Sequence, residues 1–145
     1  MTTPACGAWS AGVHRLAVRV YYEDTDFTGA VYYAEYLKFL ERGRTDALRC
    51  AGVSHADLLK LEPPLGFAVR RIAVDYLMAA RIDDALTVET VFRQTRGARM
   101  GIDQRILRGD DVLLTAAVEA VCIDLNGRPR RLPKLVAEAI ATHAR

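Results

Sequence analysis

Residues 16–51 read LAVRVYYEDTDFTGAVYYAEYLKFLERGRTDALRCA, and the change of period inside this stretch decides the fold. Leu16, Val18, Val20 and Tyr22 alternate with Ala17, Arg19, Tyr21 and Glu23, which is the two-residue rhythm of a strand. From Tyr33 onward the apolar positions Tyr33, Tyr36, Leu37, Leu40, Ala47, Leu48 and Ala51 follow helical spacing, while Glu35, Lys38, Glu41, Arg42, Asp46 and Arg49 fall largely on other faces. Gly52 is placed to stop this helix as a left-handed cap, and Gly43 inside it is a weak point of about 1 kcal/mol relative to alanine. Between strand and helix lies DTDFTGAVYYAE, residues 24–35, where carboxylates, a glycine and a helix start converge.

Beyond the helix, SHADLLKLEPPLG reads as a connector with one helical turn, closed by Pro63 and Pro64. FAVRRIAVDYL, ALTVETVFRQT, RMGIDQRILRG and VLLTAAVEAVCID follow as four strands, separated by Asp83 and Asp84, by Gly97, and by Gly109 with its acidic neighbours. An Asn126-Gly127 turn, a basic cluster and a short amphipathic helix from near Pro133 complete the chain. The sequence therefore predicts an α+β domain over residues 15–145, in which a five-stranded antiparallel sheet wraps one long central helix. A flexible tail over residues 1–14 precedes it.

At 145 residues, 51% of them apolar, the chain has material for one ordinary core and too little for two. A net charge of +2 without long like-charge runs argues against a nucleic-acid or membrane-surface protein. Cys6, Cys50 and Cys122 show no C-x-x-C spacing, and no stretch reads as a secretion signal or membrane span, so a cytoplasmic protein with reduced thiols and no membrane insertion is expected. Ser10 and Ser54 stand outside any G-x-S-x-G context, and His14, His55 and His143 lack metal-ligand spacing, so neither a serine hydrolase nor a metal site is expected. Asp24, Asp26, Thr28, Gly29 and Glu35 match a loose calcium-loop pattern, but such a loop needs a helix in front of it, and a strand stands there instead. Two further readings stand beside the calcium loop. In one, the acids cap the helix and complement its dipole. In the other, the free N–H groups of its first turn polarise a carbonyl oxygen, Asp26 lies near the carbonyl carbon, and Gly29 leaves room for an extended acyl group.

The segment VRVYYEDTDFTGAVYYAEYLKFLERGRTDALRCAG closely resembles the signature of hotdog-fold acyl-CoA thioesterases, in particular the YbgC type associated with the Tol-Pal system, kin to 4-hydroxybenzoyl-CoA thioesterase. The likeness continues through VDYLMAARIDDALTVET, TRGAR and VCIDLNGRPRRLP, spanning roughly residues 15 to 135. It implies hydrolysis of an acyl-CoA thioester without any further cofactor, with Asp26 as nucleophile or general base and the Tyr33 backbone N–H as oxyanion donor. At the Tyr33 position the YbgC type commonly carries histidine, and tyrosine stands here as in the 4-hydroxybenzoyl branch. Arg96, Arg99 and Arg130 fall where the family places cations for the coenzyme A phosphates. The resemblance further implies a homodimer or homotetramer with the site at a subunit interface, and an acyl-carrier protein as an alternative substrate carrier. The competing reading is a hotdog module that binds acyl-CoA or an acyl carrier without catalysis.

Overall fold

A computed structural model describes residues 2–144. Strands β1 (Ala8–Ser10), β2 (Val13–Arg19), β3 (Leu65–Tyr76), β4 (Ala85–Arg96), β5 (Arg99–Arg108) and β6 (Asp111–Asp124) pair in the order β1-β2-β4-β5-β6-β3. Every pairing is antiparallel. The helices are α1 (Glu35–Cys50), the single turn α2 (His55–Leu58) and α3 (Lys134–His143). The α+β class and the antiparallel sheet follow the sequence reading, but the expected five-stranded wrap is corrected to six strands with α1 packed on the sheet.

The extra strand comes from the segment expected to be a tail. Ala8 to Ser10 pair with Val13 to Arg15 across a tight turn, so residues 8–14 form the start of a hairpin. A three-residue strand is too short to show alternation, and a tertiary anchor holds it. The Trp9 indole N–H donates to the Ala47 carbonyl at 3.0 Å, and its ring stacks on His143 at 4.4 Å between centroids. At the other end of β2, the chain leaves the sheet at Arg19 instead of Glu23 and makes a 3-10 turn over Tyr22–Asp24.

Helix α1 buries Tyr36, Phe39, Leu40, Gly43, Ala47 and Leu48 along one stripe. Phe39 is fully buried whereas Leu37 and Tyr33, on the predicted apolar face, are exposed, so the buried stripe is rotated from the one read in the sequence. Two apolar clusters result. One gathers Phe39, Leu40, Val31, Leu86 and Ile106 beneath the start of α1, and the other joins Leu48, Phe92, Met100 and Ile102 to Val136 and Ile140 of α3. Gly52, at φ +93°, closes α1 with its N–H on Arg49 O and the next N–H, of Val53, on Leu48 O, which is the cap expected there.

Gly43 is a close-contact position, not merely a weak one. A Cβ placed on it would lie 2.6 Å from Val88 Cγ1 and 3.2 Å from both Gln104 Nε2 and Thr90 Oγ1. The higher helix propensity of alanine is therefore overruled by packing. Gly43→Ala is expected to destabilise the fold by about 1–3 kcal/mol, read from the urea midpoint of unfolding; an unchanged or raised midpoint would contradict this contact.

Candidate active site

The DTD segment folds into a short hairpin of its own. Asp24 is buried and its carboxylate accepts the Tyr21 N–H at 2.8 Å, so this acid has a structural task. Thr25 bridges Val31, the Asp26 N–H donates to Ala30 O at 2.8 Å, and the Gly29 N–H donates to Asp26 O at 3.2 Å. Gly29 holds φ +85°, a left-handed backbone that glycine adopts without steric cost. A Cβ there would find nothing nearer than Ile82 Cγ2 at 4.0 Å, so the surface above the turn is open. The Ile82 N–H donates to Gly29 O and the Val31 N–H to Ala80 O, both at 2.9 Å, which stitches the hairpin to the segment entering β4.

Asp26 is half-buried, and its two oxygens are in different situations. Oδ1 accepts the Thr28 N–H at 2.7 Å and the Thr28 hydroxyl at 2.6 Å. Oδ2 has no protein donor among the described residues and is free to face a reactant. The Thr28 hydroxyl first, then the Thr28 N–H, hold the Asp26 carboxyl below the usual carboxylate range, with smaller help from the Ala30 backbone and the Arg81 charge. The group is ionised at neutral pH.

Helix α1 starts at Glu35, not at Tyr33, because a turn closed by the Glu35 N–H on Tyr32 O at 2.8 Å comes first. Ala34 is the N-cap residue and supplies no side-chain cap. The N–H groups of Tyr33 and Ala34 have no acceptor among the described residues, which is the property an oxyanion donor requires. The Tyr33 side chain is exposed, with its ring 4.8 Å from that of Tyr32. The Tyr33 carbonyl accepts the Tyr76 hydroxyl at 2.9 Å, a contact across 43 positions that no local signal announces. Around the hairpin Tyr22, Phe27, Leu77, Met78 and Ile82 are exposed, Phe27 completely.

The three arginines gather elsewhere. Arg96 and Arg99 face each other across the β4–β5 turn, and the Leu132 N–H donates to Gly97 O, which draws in the segment of Arg130. Arg99 pairs with Glu119 at 3.3 Å and Arg130 with Asp124 at 3.0 Å, whereas Arg96 has no ion-pair partner among the described residues. The Asp26 hairpin sits before the first residue of β4 and Arg96 is its last, so about 35 Å of strand separates them within one chain. The structure thus groups the arginines with one another and not with Asp26.

A second polar cluster surrounds Asp46, about 16 Å along α1 from Glu35 and therefore outside the Asp26 site. Asp46 Oδ2 accepts the Gly7 N–H at 2.8 Å, lies 2.8 Å from His14 Nε2, and accepts the Cys50 thiol at 3.5 Å. The ligand atoms of His14, Asp46 and Cys50 lie within 4.8 Å of one another, a proximity that their sequence spacing hides. Metal chemistry fits them poorly. His14 Nδ1 is buried without a partner among the described residues, and a metal on Nε2 would force the ring proton onto it. Burial first, and then the Asp46 charge, push the Cys50 thiol up to about 11, away from the thiolate a metal needs. Burial likewise lowers the His14 pKa, so a neutral imidazole donating its Nε2 proton to Asp46 satisfies the cluster as a staple for the N-terminal segment.

With this geometry in view, comparison with known proteins fixes the family. A model of the thioesterase-like superfamily matches residues 20–140. The chain is 45% identical over 123 residues to the acyl-CoA thioesterase YbgC of Haemophilus influenzae, covering 84% of this chain and 90% of that protein. It is 44% identical over 127 residues to the acyl-CoA thioester hydrolase YbgC of Escherichia coli O6:H1, covering 86% and 93%. A crystal structure of a probable thioesterase from Bartonella henselae superposes with a TM-score of 0.81 at 43% identity, over 83% of this chain and 99% of that one. The chain belongs to the thioesterase-like superfamily, with its hotdog-related α+β fold. The family resemblance read from the sequence is therefore correct.

The sequence offers Thr28 only as a position of the calcium-loop pattern and not as a partner of Asp26, because a threonine near an aspartate is common in turns. If its hydroxyl sets the ionisation of Asp26, Thr28→Val should move the acid limb of kcat/KM for acyl-CoA hydrolysis to higher pH, since a carboxyl relieved of a donor returns toward its ordinary pKa. Thr28→Ser, which keeps the hydroxyl, should leave the limb in place. Coincident limbs for all three proteins would separate Thr28 from the titration.

Proposed function

We propose that this chain is an acyl-CoA thioesterase whose chemistry takes place at the Asp26 hairpin. The observation that carries the reading is the Asp26 carboxylate, clamped on one oxygen by Thr28 and free on the other, in a hairpin that leads directly into the turn whose Tyr33 and Ala34 N–H groups have no acceptor among the described residues. In this reading the Tyr33 N–H polarises the thioester oxygen and the carbonyl carbon becomes electrophilic. Asp26 Oδ2 either attacks that carbon, forming an acyl anhydride that water then hydrolyses to the free acid and Asp26, or takes a proton from the water that attacks. On both routes the thiolate of coenzyme A leaves. The lowered pKa keeps Asp26 ionised, as both direct attack and activation of a water require. Gly29 leaves the approach to the hairpin open for the acyl group.

The assembly follows from the distance between hairpin and arginines. Strand β3 is an outer strand of the sheet, twelve residues long, with Tyr76 at the Asp26 end and Leu65 beside Asp124 at the arginine end. Antiparallel pairing of β3 with β3 of a second copy would bring the arginine end of one copy toward the Asp26 end of the other. Arg96, Arg99 and Arg130 would then meet the coenzyme A phosphates at the partner's Asp26, with Arg96 the least committed to existing ion pairs. The exposed Phe27, Leu77 and Met78 suit burial in such a homodimer, and pairing of dimers would give a tetramer. An acyl-carrier protein presenting the same thioester suits the same open hairpin. Among the described residues no helix is long and apolar enough to cross a membrane, and three free cysteines suit the cytoplasm as the place of action.

Thiol release from short, long and aromatic acyl-CoA esters tests the chemistry. Asp26→Asn should lose at least about a hundredfold in kcat while keeping its melting temperature and oligomeric state. A folded Asp26→Asn with wild-type turnover would remove Asp26 from the mechanism.

Subunit mixing tests the shared site. Asp26→Asn and the triple variant Arg96→Ala, Arg99→Ala, Arg130→Ala should each be weak alone. Co-refolded in equal amounts, they should regain about a quarter of wild-type activity if each site draws on both copies, because half of the dimers are mixed and each of these holds one intact site. A site confined to one copy gives no recovery.

A further inference from the structure

We propose that Tyr76 is a positioning residue for the Asp26 site: from the end of the outer strand β3, its phenol holds the peptide unit between Tyr33 and Ala34 and so aims the oxyanion donors. The inference rests on the Asp26 reading and adds a residue outside the hairpin itself. The Tyr76 hydroxyl donates to the Tyr33 carbonyl at 2.9 Å. That carbonyl shares its peptide unit with the Ala34 N–H, so the bond fixes the orientation of the unit and, by polarising it, strengthens Ala34 as a donor. It also fixes ψ of Tyr33, whose own N–H is the other unoccupied donor.

Nothing closer in sequence performs this task. Ala34 caps α1 without a side-chain bond, and the turn before it is closed by a single bond from the Glu35 N–H to Tyr32 O. Tyr76 is itself well backed. It pairs in register with Leu114, and the N–H groups of Leu77 and Met78 both reach Leu113 O, at 2.8 and 3.1 Å. Its ring packs edge-on against Tyr36 at 5.6 Å, and Tyr36 is buried with its hydroxyl accepting the Ala80 N–H at 2.9 Å. Burial, and then the neighbouring Tyr33 and Tyr36, raise the Tyr76 pKa, so the phenol keeps its proton and remains a donor across the working range of the enzyme. Because β3 is an outer strand, the same contact connects the sheet edge to the reacting centre.

Tyr76→Phe removes the hydroxyl and keeps the ring on Tyr36. The expected result is a fall in kcat of about tenfold with KM for the acyl-CoA within about twofold of wild type, because a donor aimed at the transition state is lost and ground-state binding is not. Melting temperature and sedimentation should match wild type. A kcat within about twofold of wild type overturns the proposal, as does a loss of kcat that tracks a lower melting temperature, a dissociated oligomer or an equal rise in KM. Asp26→Asn assayed in parallel separates the two ideas: if that variant keeps its rate, the Asp26 reading has failed, whereas an inactive Asp26→Asn beside a normal Tyr76→Phe sinks the positioning role alone.

Discussion

The structure hangs on how closely α1 approaches the sheet at Gly43. With no side chain there, the helix backbone comes down onto Val88, Thr90 and Gln104, and the buried Gln104 amide is used from both ends. Its nitrogen donates to Leu40 O at 2.9 Å and to Thr90 Oγ1 at 3.0 Å, while its oxygen accepts Arg44 Nη1 at 3.0 Å. A satisfied polar group inside a core fixes register more sharply than apolar contact does, because any slip leaves costly unpaired atoms. Height and rotation of α1 follow from this contact, while the turn from the Glu35 N–H to Tyr32 O sets the point where the helix begins. That point sets where the Tyr33 and Ala34 N–H groups face.

The two ends of α1 are then held by different means. At its C-terminal half the Asp46 carboxylate gathers Gly7, His14 and Cys50, and Trp9 lies over Ala47 and His143, so the first hairpin, α1 and α3 are tied together. At its N-terminal end no side chain caps the helix, and the approach is fixed by backbone bonds to the 80–84 segment and by tyrosine hydroxyls from α1 and β3. The C-terminal half is closed by the Asp46 and Trp9 contacts. The other end is braced from outside and keeps the Tyr33 and Ala34 N–H groups without acceptors among the described residues.

Much of this was legible in the sequence where the pattern is local. Alternation marks the longer strands of the sheet, helical spacing marks α1, and the glycine of the DTD segment marks the break between them. Strand β1 was missed because three residues carry no period, and Gly43 was misjudged because propensity says nothing about a neighbouring Val88. The ion pairs of Arg99 with Glu119 and of Arg130 with Asp124, and the distance of Arg96 from Asp26 along β4, depend on strand register, which no local pattern encodes.

By itself, then, the sequence determined the class of fold and the family, because each is encoded in short-range periodicity or in a contiguous motif. Only the tertiary structure decided which oxygen of Asp26 is free, that Tyr76 reaches the Tyr33 carbonyl, and that Asp46 joins His14. Those outcomes turn on atoms meeting across 32 or 43 positions, or on a rotamer selected by a hydroxyl, and no periodicity in the chain records either.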